Sequence, residues 1–199
     1  MKKIQPKYHF YEYSIYMDRM GKYLNLWLSK NTSKYRDLLF QEIWTNYHRK
    51  LQVYTKQFYQ SNGDYADRAS EILLKVFESI DKYKCEYSLS TWIYTIARNY
   101  LIDLIRKKEI SSVNIDDHVL SDFETPESLA VRDSEKTMVR AAISDLSSVD
   151  RELIYLYFYE GMKYHEISKI MGMPTGTIKY RMSENRKQMK TKLERSMIL

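Results

Sequence analysis

Two stretches of this chain gather side chains able to hold a polyanion. The first is the run STWIYTIARNYLIDLIRKK, Ser90 to Lys108. At 100° per residue its apolar face centres near Ile93, Ala97 and Leu104, while Thr95, Arg98, Asn99, Ile102 and Arg106 lie on the other side, followed by Lys107 and Lys108. Arg and Lys are phosphate ligands, and an Asn amide can pair with a base edge. Ahead of this run, the loop DKYKCEYSLSTW sets Tyr83, Tyr87 and Trp92 among lysines, and rings beside cations suit stacking on unpaired bases. Taken alone, these residues read more plainly as a solvated helix face and as rings packed on their own bundle.

The second stretch runs from Thr175 to Arg195 and holds seven basic and two acidic residues. Projected as a helix, it carries Ile178, Met182, Met189 and Leu193 on one face. Gly176, Tyr180, Ser183, Glu184 and Lys187 lie opposite, Lys179 and Arg181 flank them, and Thr177 stands at the N-terminal end. Gly176 has no side chain, so the free amides of the helix start can approach a phosphate closely.

Enzymatic chemistry finds no such support. His9, His48, His118 and His165 are scattered, and His165-Glu166 lacks the second His of a zinc-protease helix. No nucleophile constellation or carboxylate cluster stands out, so no catalytic residue, metal site, cofactor or small-molecule substrate is expected. The single cysteine, Cys85, excludes an intramolecular disulfide framework and suits a reducing cytoplasm. No run of 18 apolar residues exists for a membrane span, and Glu12, Asp18 and Arg19 interrupt what a signal peptide would need.

Helices must position both stretches. With 44% hydrophobic residues but only 5 Gly and 3 Pro, the chain can bury a core yet lacks the turns of an all-β protein. Phe40, Ile43, Trp44, Tyr47, Leu51, Tyr54 and Phe58 recur at helical spacing, with Asn62-Gly63 as the stop. Ala66, Ala69, Ile72, Leu73, Val76, Phe77 and Ile80 define a second helix. With the Ser90–Lys108 run, capped by Ser88 or Ser90, these predict a three-helix bundle. Further on, Ser147-x-x-Asp150 is a capping box opening a helix with Leu153, Ile154, Tyr157 and Phe158 inward and Gly161 as its stop. A helix with Tyr164, Ile167, Ile170 and Met171 inward follows. Gly172 and Pro174 then make a tight turn, with Thr175 as the next cap. A short helix, a turn and a basic helix form the outline of a helix-turn-helix, whose second helix enters the major groove.

The net charge of +6 is unevenly spread. Residues 1–108 carry +8, residues 109–135 carry −7 and residues 136–199 carry +5. The acidic stretch lacks periodicity, and Pro126 sits in it among Ser, Asp and Glu. The expected fold is therefore all-α: two small helical domains, an N-terminal bundle and a C-terminal helix-turn-helix, joined by a flexible acidic linker. The expected boundaries are 1–34 for an N-terminal extension, 35–108 for the bundle, 109–135 for the linker and 136–199 for the helix-turn-helix.

On these motifs the chain resembles the bacterial RNA polymerase sigma factors of the extracytoplasmic-function group, over about residues 35–195. DYADRASEILLKVF with STWIYTIARNYLIDLIRKK is similar to the family's second conserved region. LSSVDRELIYLYFYEGMKYHEISKIMGMPTGTIKYRMSENRKQM is similar to the fourth. The resemblance implies a non-enzymatic subunit that binds core RNA polymerase and promoter DNA. Asp67, Ser70 and Glu71 would contact the polymerase. Tyr83, Tyr87, Trp92, Arg98, Asn99, Asp103 and Arg106 would serve the melted −10 element, with Asn99 and Asp103 at the upstream base pairs. Gly176, Thr177, Lys179, Tyr180, Arg181, Ser183, Glu184 and Lys187 would serve the duplex −35 element. The linker would thread the channel that later carries RNA, its −7 charge mimicking a polyanion.

Three residues depart from the family pattern: Ser70 in place of Gln, Tyr180 in place of a small Ser, and Glu184 in place of a frequent Arg. In the extension, Tyr16, Met20, Tyr23, Leu24, Trp27 and Leu28 keep helical spacing. Two roles are open to that helix, capping the bundle or docking a regulator such as an anti-sigma factor. The rival to the whole reading is a stand-alone helix-turn-helix transcriptional regulator, which leaves the bundle and the polyanionic linker unexplained.

Overall fold

A computed structural model describes residues 22–24, 26–27, 33–58, 65–111 and 133–196, and the regular elements among them are helical. By internal packing the chain divides into two units, residues 1–48 and 49–199. In the first, Tyr23, Leu24 and Trp27 are helical and Leu24 and Trp27 are buried, while Tyr16, Met20 and Leu28 lie outside the described residues. Helix α1 (Ser33–Thr55) starts there, with Leu39, Ile43 and Tyr47 as its buried stripe. Along its half-buried side Phe40 meets Trp44 edge-on at 5.7 Å, and Trp44 stacks on His48 at 4.9 Å.

The second unit takes the last turns of α1, in which Leu51, Tyr54 and Thr55 are fully buried. Helix α2 (Tyr65–Ser79) buries Ala69, Ile72, Leu73 and Val76, one per turn or nearly so, and a 3-10 turn at Ile80–Lys82 closes it over Ile80. Ser88 opens helix α3 (Leu89–Ser111): its hydroxyl accepts the Thr91 amide at 3.2 Å. Ile93, Ala97 and Leu101 are fully buried along α3, so its apolar stripe ends a turn earlier than Leu104, which is half-buried. A fully buried Leu such as Leu101 is worth about 2–5 kcal/mol against Ala.

Helix α3 runs to Ser111 and helix α4 spans Asp133–Ser144, so both ends of the acidic stretch 109–135 are helical. Its middle, residues 112–132, lies outside the described residues. Ser147 caps helix α5 (Ser148–Ile154), accepting the Asp150 amide at 3.2 Å. The buried Arg151 reaches back to the carbonyls of Ser144 and Leu146, at 3.3 and 2.7 Å, and fastens the end of α4.

One expectation fails here. The α-helical spacing turned Tyr157 and Phe158 inward, but Tyr155–Tyr159 form a π turn. Its extra residue rotates the face, so Tyr155 and Leu156 are buried, Tyr157 is half-buried and Phe158 is 56% exposed. Gly161 and Gly172 both adopt φ of +65°, a conformation other residues reach at a cost, and they end this segment and helix α6 (Tyr164–Met171). Helix α7 (Thr175–Ser196) follows. Its first bond runs from the Ile178 amide to the Pro174 carbonyl at 3.1 Å, so the cap sits on Pro174, one residue before the Thr175 expected. α6 packs on α3, and α7 packs on α4, α5 and α6.

Candidate nucleic-acid interface

The Asp150 carboxylate holds the first turns of helix α7 from beneath. Asp150 accepts from Arg181 Nη1 at 3.0 Å and from Asn185 Nδ2 at 3.2 Å on one oxygen, and from Ser147 Oγ at 2.6 Å on the other. Burial alone would raise its pKa, but the bonds from Ser147, Asn185 and Arg181 outweigh it and the group sits below its ordinary 3.8. Ile178 and Met182 are buried under the same face. The opposite face is open: Gly176, Thr177, Lys179, Tyr180, Ser183 and Lys187 are exposed, Tyr180 by 68%. Among the described residues, a Cβ on Gly176 would meet nothing within 4 Å beyond its chain neighbours and its own helix, so the protein is open beside this position. Glu184 pairs with Lys187 at 2.7 Å, and that bond raises the lysine's pKa. Of the residues expected on this face, Arg181 is the one turned partly away, into the Asp150 knot.

The loop before α3 makes a pocket lined by Lys82, Tyr83, Lys84, Glu86, Tyr87, Thr91, Trp92, Thr95 and Lys169. Tyr83 is buried and donates its hydroxyl to the Tyr87 carbonyl at 2.7 Å, with its ring 5.2 Å from Trp92. It therefore forms the wall on which Trp92 rests. Cys85 has φ of +56°, the left-handed conformation that turns the loop. Asn99 and Asp103 are exposed, and Asp103 accepts from Arg106 at 2.8 Å. Arg98 is only 15% exposed, because its Nε bonds both carboxylate oxygens of Glu152 at 3.0 and 3.2 Å.

That ion pair joins the two halves of the sequence. Tyr54 donates to Glu152 Oε1 at 2.6 Å and meets the rings of Tyr94 and Tyr155 at 4.9 and 5.6 Å. Burial pushes both Tyr54 and Tyr155 well above the usual tyrosine range; Glu152 adds to it for Tyr54 and Glu160 for Tyr155. Burial also raises Glu152, with Arg98 and Tyr54 pulling the other way. Beside this cluster, Glu166 Oε2 accepts the Lys163 amide at 3.0 Å, while its Oε1 accepts the hydroxyls of Ser88 and Thr91 at 3.0 and 3.1 Å. Lys169 lies 4.7 Å above the Tyr87 ring.

On α2, Asp67, Ser70 and Glu71 share one face. Asp67 is exposed, Ser70 bonds back to the Ala66 carbonyl at 2.9 Å, and Glu71 takes Arg68 at 2.9 Å and the Tyr100 hydroxyl. Among the described residues no His, Cys, Asp and Glu group could hold a metal ion, and no helix is long and apolar enough to cross a membrane.

The sequence reading missed Glu152, Glu166, Lys169 and Asn185. Only Glu166 left a local signal, a Glu at the third position of a helix start. The partners of Glu152 lie 98 and 54 residues away and leave no trace in periodicity.

Comparison with known proteins places the two halves of the chain in a family. Residues 43–110 match Sigma-70 region 2, and residues 136–189 match Sigma-70, region 4. The RNA polymerase sigma-H factor of Pseudomonas aeruginosa is 27% identical over 146 residues, covering 68% of this chain and 76% of that protein. The ECF RNA polymerase sigma-E factor of Escherichia coli is 27% identical over 147 residues, covering 68% and 77%. Among solved structures, the fold is similar to the sigma factor RpoE of Bartonella quintana in complex with the anti-sigma factor NepR. The TM-score is 0.62 at 24% identity, over 78% of this chain and 96% of that one. CnrH, solved with the cytosolic domain of CnrY, has a TM-score of 0.60 at 18% identity, over 89% and 98%.

Proposed function

The chain belongs to the sigma-70 family, in its extracytoplasmic-function group, and directs transcription initiation by RNA polymerase; on that premise we propose how its residues divide the task. The observation that carries the division is the pairing of an open basic face on α7 with an aromatic, lysine-lined pocket before α3.

The α7 face reads the −35 duplex. Lys179 and Lys187 hold phosphates, the amides at Gly176 and Thr177 meet a phosphate end-on, and Tyr180, Ser183 and Glu184 reach base edges. Glu184 suits a cytosine amino group, an acceptor to its donor, where an Arg would select guanine. Arg181 serves the same face indirectly, by fixing α7 to Asp150.

The pocket before α3 receives a base extruded from the −10 element. Extrusion costs a few kcal/mol of stacking and pairing, and a ring wall with flanking lysines offsets it. Trp92 and Tyr87 supply rings, Tyr83 backs Trp92, and Asn99, Asp103 and Arg106 line the helix upstream. Asp67, Ser70 and Glu71 on α2 contact core polymerase. The acidic stretch joins the two modules in sequence, and its negative charge suits a basic channel. The setting is the cytoplasm, where polymerase works. Because the RpoE and CnrH structures were solved with NepR and CnrY bound, an anti-sigma partner is part of this reading.

Co-purification with core polymerase, followed by run-off transcription from a promoter selected with the reconstituted holoenzyme, tests it. The reading predicts a stable complex and specific start sites that weaken when Asp67 and Glu71 are replaced by Ala. Full retention of core binding by that double variant would remove α2 from the polymerase contact.

A further inference from the structure

Glu71, on the face of α2 proposed above for core polymerase, is held by a side chain from another helix. Tyr100 of α3 donates its hydroxyl to Glu71 Oε2. Arg68 Nη1 donates to the same oxygen at 2.9 Å and to the Tyr100 hydroxyl oxygen at 3.2 Å. Lys75 Nζ lies 5.3 Å from the centre of the Tyr100 ring. Arg68, Glu71 and Lys75 stand three and four residues apart, so they share one face of α2 and close together on the one tyrosine. A cation over a ring is attracted by the ring's negative face, so Lys75 steadies the ring and the ring's hydroxyl steadies the carboxylate. The tyrosine itself stands on a firm base, since Ile93, Ala97 and Leu101 on the inner side of α3 are fully buried.

The arrangement divides the carboxylate. Both bonds fall on Oε2, while Oε1 takes none among the described residues, and the Glu71 side chain is 46% exposed. An ionised carboxylate can accept at about four lone-pair positions, so capacity remains for a donor from outside the chain. Asp150 beneath α7 shows the other pattern: bonds from its own domain occupy both of its oxygens. The donor that suits an open, ionised oxygen is an Arg or Lys of a partner. On the same face Ser70 carries no charge and bonds back to the Ala66 carbonyl, which leaves ionic contact to Asp67 and Glu71. A side chain already fixed by its own protein loses less rotamer freedom when a partner binds it.

We propose that Tyr100 is a positioning residue for the polymerase contact: its hydroxyl, with Arg68, fixes Glu71 so that Oε1 is presented to a basic side chain of core polymerase. Tyr100 acts through the carboxylate. This inference rests on the assignment of Glu71 to the polymerase contact, and its test separates the two.

The test measures the Kd of the full chain for core polymerase by fluorescence titration, in wild type, Tyr100→Phe, Glu71→Ala and the double variant, with helicity compared by circular dichroism. Tyr100→Phe keeps the ring beside Lys75 and removes only the hydroxyl. It should weaken core binding by about two- to tenfold, as for one side chain that must now be ordered on binding. In the Glu71→Ala background the same change should have no effect, because the carboxylate it acts through is gone. Binding weakened by Glu71→Ala and unchanged by Tyr100→Phe overturns the positioning role. An equal loss from Tyr100→Phe in both backgrounds overturns it as well, since the hydroxyl would then act without Glu71. If neither Glu71→Ala nor Tyr100→Phe changes the Kd, it is the polymerase assignment of Glu71 that has failed, and the positioning role with it.

Discussion

The two surfaces proposed to face DNA are built from like materials and differ in what touches them. On α7 the reading face is bare: Lys179, Tyr180, Ser183 and Lys187 project outward, and Asp150 grips the helix from behind through Arg181 and Asn185. On α3 and its loop, Arg98 is occupied by Glu152, Tyr87 is covered by Lys169, and Ser88 and Thr91 are taken by Glu166. A surface that reads closed duplex can stand ready, because duplex approaches from solvent without rearrangement. A surface that takes an extruded base works by ring stacking, and its Tyr87 ring and Arg98 are here in contact with the chain's own second half.

The largest effect should come from the covered side. Trp92→Ala removes a ring wall, and at about 1–3 kcal/mol per stacked base it should cut run-off transcription by about 10- to 100-fold. Duplex binding by α7 should be unaffected, so a matching loss in a −35 duplex shift assay would erase the division of labour. On the open side, Glu184→Arg should change base preference at one −35 position by about tenfold in a selection experiment. An unchanged preference would leave Glu184 as the partner of Lys187 and nothing more. Lys179→Ala should instead weaken all duplexes alike and lower the salt-dependence slope by about 0.9, the mark of one lost phosphate contact.

Asp150→Ala should cost about 2 kcal/mol of stability in the helix-turn-helix, three hydrogen bonds exchanged for water, read as a shift in urea midpoint. The ion-pair part of that is at the small end, since Arg181 and Asp150 are partly in water. The pH dependence has a definite sign. Because the folded pKa of Asp150 is depressed, its contribution is present above its ordinary value of 3.8 and is lost as pH falls through the folded value. Acid titration of wild type and Asp150→Ala should therefore begin to draw together only below about pH 4.

Much of the local structure was legible in the sequence, because its causes are local. Ser147 with Asp150 marks a helix start, Gly172 and Pro174 mark the helix-turn-helix turn, and the spacing of Ile93 and Ala97 marks the buried side of α3, though Leu104, set on the same face, is only half-buried. The inward position given to Phe158 failed because spacing arguments assume an unbroken α-helix, and the π turn at Tyr155–Tyr159 adds a residue that no composition signal announces. For the sites, helical projection set Gly176, Tyr180, Ser183 and Lys187 on one face, and these residues are exposed on α7. Projection did not foretell that Arg98 is held by a glutamate 54 residues on, since nothing in the pattern around either residue encodes the other.

The most direct measurement is the mapping of transcript 5′ ends on genomic DNA transcribed by core polymerase with and without this chain. The account predicts a set of starts that appear only with the chain and share two sequence blocks, one upstream near −35 and one near −10. Those starts should fade with Trp92→Ala and change their upstream block with Glu184→Arg. Starts indistinguishable from those of core alone would contradict it.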